Sequence, residues 1–197
     1  MSISITLHRS GTSRTQQVDT TTTGLDLFGS DRAVVAMRVD GNLVDLQREL
    51  HDGAEVEPVE ATSEDGLNII RHSATHVMAQ AVQQLYPEVN LGIGPFITDG
   101  FYYDFGNIEP VTPEVLSELE KRMKRIVKEN QRFVRRVTTE ESAREELADQ
   151  PYKLELIGTK GKGAEGASVE VGGGELTIYD NVRRNGEVAW KLSLIHI

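Results

Sequence analysis

The strongest constraint on the fold lies at residues 65–85. Ile70, Ala74, Val77, Met78, Ala81, Val82 and Leu85 recur there at steps of three and four, the period of a helix with one core-facing stripe. His72 and His76 stand four apart, on one side of such a helix and about 6 Å apart along its axis. At roughly 100° per residue they project about 160° or more from the centre of the stripe. The sequence therefore predicts that both face away from the helix's own core, toward solvent or a cleft, where chemistry can sit.

A pair of histidines on a polar helix face also arises by chance, so its surroundings matter. A zinc protease motif needs Glu directly after the first histidine, and Ser73 stands there. Any other zinc site needs a third ligand, and the chain has no cysteine; no metal is expected. The pair is followed closely by Gly92-Ile93-Gly94-Pro95, a tight turn or strand start. Gly100-Phe101-Tyr102-Tyr103-Asp104 then reads as an aromatic strand with an acid at its end.

Elsewhere the periodicity alternates between strand and helix. Residues 2–8 and 34–39 alternate apolar and polar side chains, residues 23–29 suit a short helix, and Asp40-Gly41 between apolar flanks predicts a hairpin. Residues 46–50 read as one helical turn, and 51–54 as a turn before a strand at 55–59. His8 and His51 have no neighbouring partners in the sequence. Residues 61–66 read as a linker in which Ser63 or Asp65 can cap the histidine helix.

Further on, strands are expected at 90–93 and 101–105, then a helix from Thr112 with Val115, Leu116, Leu119, Met123, Ile126 and Val127 buried. A strand at 133–137, a short helix from 138 to about 148, and strands at 153–157 and 175–179 complete an α+β pattern. The expected parts are residues 1–62, 63–191 and a non-native tail, 192–197.

A net charge of −10 over 197 residues opposes nucleic-acid binding, yet the charge is unevenly placed. Basic residues crowd 121–136, with Glu129 the single acid among them. A solvated helix face explains much of this, because Glu118–Arg122 and Glu120–Lys124 are both i,i+4 pairs. Arg132, Arg135 and Arg136, just past the helix, are the candidate phosphate contacts. No apolar run approaches the roughly 18–20 residues of a membrane span. The absence of cysteine fits a reducing compartment, and the first residues lack the basic and apolar regions of a signal peptide. A cytoplasmic location is the simplest expectation.

The stretch from Arg71 to Phe105 resembles the editing domain of the threonyl-tRNA synthetase family, which is related to a domain of alanyl-tRNA synthetase and to free-standing editing proteins. The likeness continues through the helix near 114–130, Tyr152-Lys153-Leu154 and Tyr179-Asp180-Asn181. Residues before Asp65 resemble the small TGS domain that precedes it. The resemblance implies a ubiquitin-like β-grasp followed by an α+β editing domain that hydrolyses seryl-tRNA mischarged on threonine tRNA. It implies that His72 and His76 line the pocket, that Tyr103, Asp104 and Gly94 shape the substrate site, and that Lys153 places a positive charge near the ester. From the residues alone, Lys153 is equally an ordinary surface lysine. The implied partner is tRNA, with no membrane, and the full-length family protein is expected to be a homodimer. ATP and zinc are implied only for a synthetase core outside this chain, so the chain itself is expected to carry no cofactor and not to aminoacylate. A non-catalytic tRNA-binding module and a free-standing deacylase are the alternatives.

Two further segments bear on this reading. Gly161-Lys162-Gly163-Ala164-Glu165-Gly166 fits a dinucleotide-binding spacing, but strand and loop formers follow where that motif needs a helix, so a surface loop is expected. After Trp190-Lys191 the family continues into a Cys and Gly-Pro-His segment that completes its pocket. This chain reads Leu192-Ser193-Leu194-Ile195-His196-Ile197 instead, and His196 is not expected to replace the family's histidine.

Overall fold

The computed structural model describes residues 1–159 and 176–194. It divides into two compact units, Met1–Arg71 and a second beginning at His72. The expected α+β class is observed, and the division falls inside a long helix rather than in the 61–66 segment. No helix among the described residues is long and apolar enough to cross a membrane.

The first unit comprises β1 (Ser2–Arg9), β2 (Thr12–Asp19), α1 (Gly24–Phe28), β3 (Val34–Val39), β4 (Asn42–Val44), β5 (Glu55–Glu60) and the first turns of α2 (Glu64–Leu85). Its sheet has the order β2-β1-β5-β3-β4, with β1 parallel to β5 and the other pairs antiparallel. This is the ubiquitin-like arrangement. Ile3, Ile5, Met37 and Val56 from the strands close on Phe28 of α1 and on Leu50 and Ala54. Asp40 and Gly41 both adopt positive φ, 51° and 80°, as the hairpin turn between β3 and β4 requires.

The structure adds to or departs from the sequence reading at three places in this unit. β2 carried no sequence signal because Thr12–Asp19 is an edge strand with almost no buried side chain, so apolar alternation is missing. Residues 46–50 are not helical: Leu46 O accepts from Leu25 N (2.7 Å) and Leu50 N donates to Thr22 O (2.9 Å), which diverts the backbone to α1. The two lone histidines do have partners, His51 with Asp40 (2.8 Å) and His8 with Ser13 (2.9 Å). Ser63 caps α2 by accepting from Gly66 N (3.1 Å), while Asp65 pairs with Arg38.

The second unit continues from α2 through β6 (Asn90–Leu91), β7 (Phe96–Ile97), β8 (Gly100–Phe101), β9 (Phe105–Gly106), α3 (Pro113–Lys128), β10 (Arg132–Thr138), α4 (Glu140–Glu146), α5 (Pro151–Thr159), β11 (Leu176–Val182) and β12 (Val188–Leu194). β10-β11-β12 form an antiparallel sheet, while β6-β9 and β7-β8 are two-stranded pairs. Ala79, Ala81, Val82, Val89, Leu91, Leu119 and Ile126 make the main core. Ala143, Leu147, Ile157 and Ile178 make a second cluster.

Here too the structure departs from sequence periodicity. Residues 153–157 are helical, because Pro151 suits the first turn of a helix and Gln150 O accepts from Lys153 N and Leu154 N (3.0 and 3.1 Å). The alternation that suggested a strand is only local. The aromatic strand breaks after Phe101, and Tyr102–Asp104 lie between β8 and β9. On α3, Leu116 and Val127 are exposed; they lie eleven residues apart, in one column beyond the buried arc of Leu119 and Ile126. The strand expected at 175–179 runs over Leu176–Val182, and Glu175 lies outside the described residues. So do the glycine-rich segment 161–166 and residues 195–197 of the expected tail.

Gly66 is buried at the start of α2, where an added Cβ would come within 2.0 Å of Glu60 O. Backbone cannot yield as a side-chain tip can. Gly66→Ala is expected to destabilise the first unit by about 1–3 kcal/mol through overpacking. Urea unfolding followed by backbone circular dichroism measures this, and a wild-type midpoint would show that the strand end moves freely.

Candidate active site

The polar face of α2 is covered. Ile70, expected in the core, is 42% exposed, whereas His76 is 5% exposed and Thr75 and Gln80 are buried. His72, His76, Gln80 and Gln83 follow one another at steps of four, four and three, so they form one stripe. The His76 ring meets Phe133 of β10 edge-on at 6.5 Å. Gln80 Oε1 accepts from Asn181 Nδ2 of β11 at 2.8 Å, and Gln83 Oε1 accepts from the Trp190 indole of β12. Phe133, Asn181 and Trp190 are paired directly across the sheet. Three successive stripe residues thus touch one cross-strand row in order. The rise from His76 to Gln83, about 10 Å, matches two inter-strand spacings of roughly 4.8 Å. The helix therefore crosses the strands, and its polar stripe follows that row.

His72 and His76 lie with ring centroids 4.7 Å apart, and His72 also meets Phe96 edge-on at 6.4 Å. Among the described residues, His72 Nε2 and both ring nitrogens of His76 are buried without a hydrogen-bond partner. Lys153, on α5, is only 2% exposed. Burial brings its ammonium pKa down to about 7. Burial also lowers the His72 pKa, and pushes that of His76 well below 6.5, helped by the neighbouring charges of His72 and Lys153. The three candidates gathered by sequence reasoning thus sit in one desolvated neighbourhood, and Lys153 is not a surface lysine.

The remaining candidates are placed differently. Tyr103 stacks on Phe105 at 4.7 Å, and burial pushes its phenol pKa up. Gly94 lets that ring approach, since a Cβ there would lie 2.2 Å from Tyr103 Cδ2. Asp104 is exposed; its backbone accepts from Gly92 N and donates to Ile93 O, both at 2.9 Å. It lines an open groove of about 320 Å³ with Gly92, Phe105, Tyr152 and Glu155, and no hydrogen bond or ion pair joins it to the histidines among the described residues. A larger groove, about 540 Å³, lies in the first unit beside His8 and Arg38 and holds no comparable cluster.

The three arginines are separated by strand alternation. Arg135 lies on the same face of β10 as Phe133, and Arg132 and Arg136 on the other. Arg136 donates to both Glu146 oxygens (2.8 and 2.5 Å) and to Asp180 (2.6 Å), so its charge is used inside the unit. Arg132 is exposed. Sequence reasoning missed Gln80 and Gln83, although their spacing after His76 carried the signal, and it named Asn181 and Trp190 only within the resemblance, with no role for either.

No three His, Cys, Asp or Glu side chains converge among the described residues, and the cation beside the imidazole pair is a lysine.

Fold and site together define a two-unit α+β protein whose second unit buries an imidazole pair beside a lysine of lowered pKa. No protein-family profile matches the chain. Individual relatives do. The chain is 58% identical over 192 residues to a threonine–tRNA ligase of Streptomyces avermitilis, a match covering 96% of this chain and 29% of that protein. It is 61% identical over 177 residues to the threonine–tRNA ligase of Streptomyces griseus, covering 88% and 27%. For Pseudarthrobacter chlorophenolicus the figures are 58% over 178 residues, 88% and 27%. The chain is thus related along nearly its whole length to the threonine–tRNA ligases, and it spans between a quarter and a third of the length of these relatives.

All three titratable groups bind protons less readily in the folded chain than in the unfolded one. Stability must then rise with pH wherever the unfolded group is charged and the folded one neutral. For the imidazoles that window runs from their lowered values up to 6.5, and for Lys153 from about 7 up to 10.5. Acidification from about pH 8 to pH 5 should therefore lower the urea midpoint of the second unit, read from the fluorescence of its single tryptophan, Trp190. His76→Gln should flatten that dependence. An unchanged slope in the variant would show that His76 is hydrated.

Proposed function

We infer that the second unit is the editing part of a threonine–tRNA ligase and hydrolyses serine wrongly esterified to threonine tRNA. The observation that carries this reading is the desolvated His72–His76 pair, with unpartnered ring nitrogens, beside Lys153. Threonine and serine differ by one methyl group, which binding alone discriminates by only about 1–3 kcal/mol, or roughly 10–200-fold. A ligase for threonine therefore needs a second, hydrolytic site.

The chemistry follows from the protonation states. A lowered pKa keeps an imidazole neutral at pH 7, so it can accept a proton from water as the water oxygen attacks the ester carbonyl. The ammonium form of Lys153 stabilises the oxyanion that develops. The tetrahedral intermediate then collapses with cleavage of the bond to the tRNA ribose oxygen. That oxygen takes the proton back from the imidazolium, and serine and tRNA leave. In this reading the Gly94–Tyr103 contact and Asp104, in the groove lined by Tyr152 and Glu155, shape the substrate site. Aminoacylation with ATP, and the zinc that serves it, belong in this reading to the synthetase core of the full-length enzyme, acting in cytoplasmic protein synthesis.

Hydrolysis of seryl-tRNA tests the reading. His72→Ala, His76→Gln and Lys153→Met are each expected to slow deacylation about 10²–10⁴-fold, with Trp190 fluorescence confirming the fold. The rate should fall at acid pH as the imidazoles take up protons, and again above about pH 7 as Lys153 loses its own. Wild-type protein that binds seryl-tRNA without hydrolysing it would return the chain to a binding module.

A further inference from the structure

Seven of the eight basic residues of segment 121–136, Arg135 aside, separate into two populations. Arg122 pairs with Glu118, Lys124 with Glu120, and Arg136 with Glu146 and Asp180. Lys121, Arg125, Lys128 and Arg132 are exposed, and among the described residues no carboxylate pairs with any of them. The first three follow one another at steps of four and three, so they line one face of α3, away from its buried Leu119 and Ile126. Arg132 opens β10 four residues later, at most about 14 Å of chain away.

Helix capping does not account for this row. The helix dipole favours cations in the last turn, which covers Arg125 and Lys128 but neither Lys121 nor Arg132. In a chain of net charge −10, these four cations concentrate unneutralised positive charge on one exposed strip, where it can attract an anionic partner. The cores of protein–protein interfaces are poor in lysine and rich in aromatics, whereas this row holds two lysines, two arginines and no aromatic. A line of point charges suits a regular line of phosphates, which positions a nucleic acid without reading its sequence.

The charge geometry points to Lys121, Arg125, Lys128 and Arg132 as a track for the RNA phosphate backbone, which holds the body of the tRNA while its 3′ end is processed. It rests on the editing reading for the identity of the RNA, and replaces Arg136 as a phosphate contact with cations that are free to make one.

Binding of the full chain to a labelled unacylated tRNA transcript, and to an unrelated RNA hairpin, tests the track between roughly 50 and 200 mM salt. Lys121→Gln/Arg125→Gln and Lys128→Gln/Arg132→Gln should each weaken both RNAs several-fold to tenfold. Each should also flatten the slope of log Kd against log salt by about 1.5, close to one unit per lost contact. Lys124→Gln/Arg144→Gln removes the same charge from ion-paired cations and should change neither. The proposal is overturned if that control weakens binding as much as the track pairs, because a diffuse field would then suffice. It is also overturned if wild-type protein fails to bind RNA at the lower salt, or if polyglutamate competes as well as RNA. A small seryl ester of adenosine separates this proposal from the editing reading. Track variants should hydrolyse it at the wild-type rate, whereas failure of the wild-type protein to do so would sink the editing chemistry and leave RNA binding to be judged alone.

Discussion

The second unit depends on seating the polar stripe of α2 against a sheet. His76, Gln80 and Gln83 meet Phe133, Asn181 and Trp190 in turn, and those three residues are one paired row across β10, β11 and β12. Shifting the helix by one residue would turn the whole stripe about 100° away from the row. The buried amide pair would then lose its partner, at a cost of about 1–3 kcal/mol for each orphaned group. The same contacts that orient the helix therefore hold the imidazoles where water is scarce.

Such seating is not the most stable solution for these positions. Burying ring nitrogens without partners costs free energy that an aliphatic side chain would not, and a lysine held at 2% exposure adds a desolvated amine. Apolar packing offsets the expense: α2 also contributes Ala79, Ala81 and Val82 to the main core with Leu119 and Ile126 of α3. Perturbed titratable groups clustered in this way are a mark of functional sites. Here the perturbation has one dominant cause, burial, for all three groups.

The sheet is built to bear load on both faces. Tyr179 and Asn181 of β11 point to the side of Phe133 and Trp190, while Ile178 joins the cluster of Ala143 of α4, Leu147 at its C-cap and Ile157 of α5. On that second side Asp180 is buried, and Arg136 bridges it to Glu146 of α4. A buried carboxylate needs such a partner. The ion pair ties β10, β11 and α4 together, which is why this arginine serves the fold while its exposed neighbours remain available.

Much of this was legible in the sequence, and what was not has physical reasons. Local periodicity located α2 and α3, the β3–β4 hairpin and the strand of Arg136, because apolar residues recur at helix or strand spacing along each, or flank a turn pair, whatever packs on the other face. It failed at β2, an edge strand without a buried face, and at α5, where the proline and a backbone carbonyl outweigh five alternating residues. Residue chemistry picked out His72, His76 and Lys153 one by one. The sequence by itself determined which groups could carry protons and that the two histidines share a helix face. Only the tertiary structure decided that this face is buried rather than open, that Lys153 lies beside it, and that Arg136 is neutralised while Lys121, Arg125, Lys128 and Arg132 are not. Burial and ion pairing join residues as much as a hundred positions apart, as Gln80 and Asn181 are, and no local pattern encodes which distant partner will arrive.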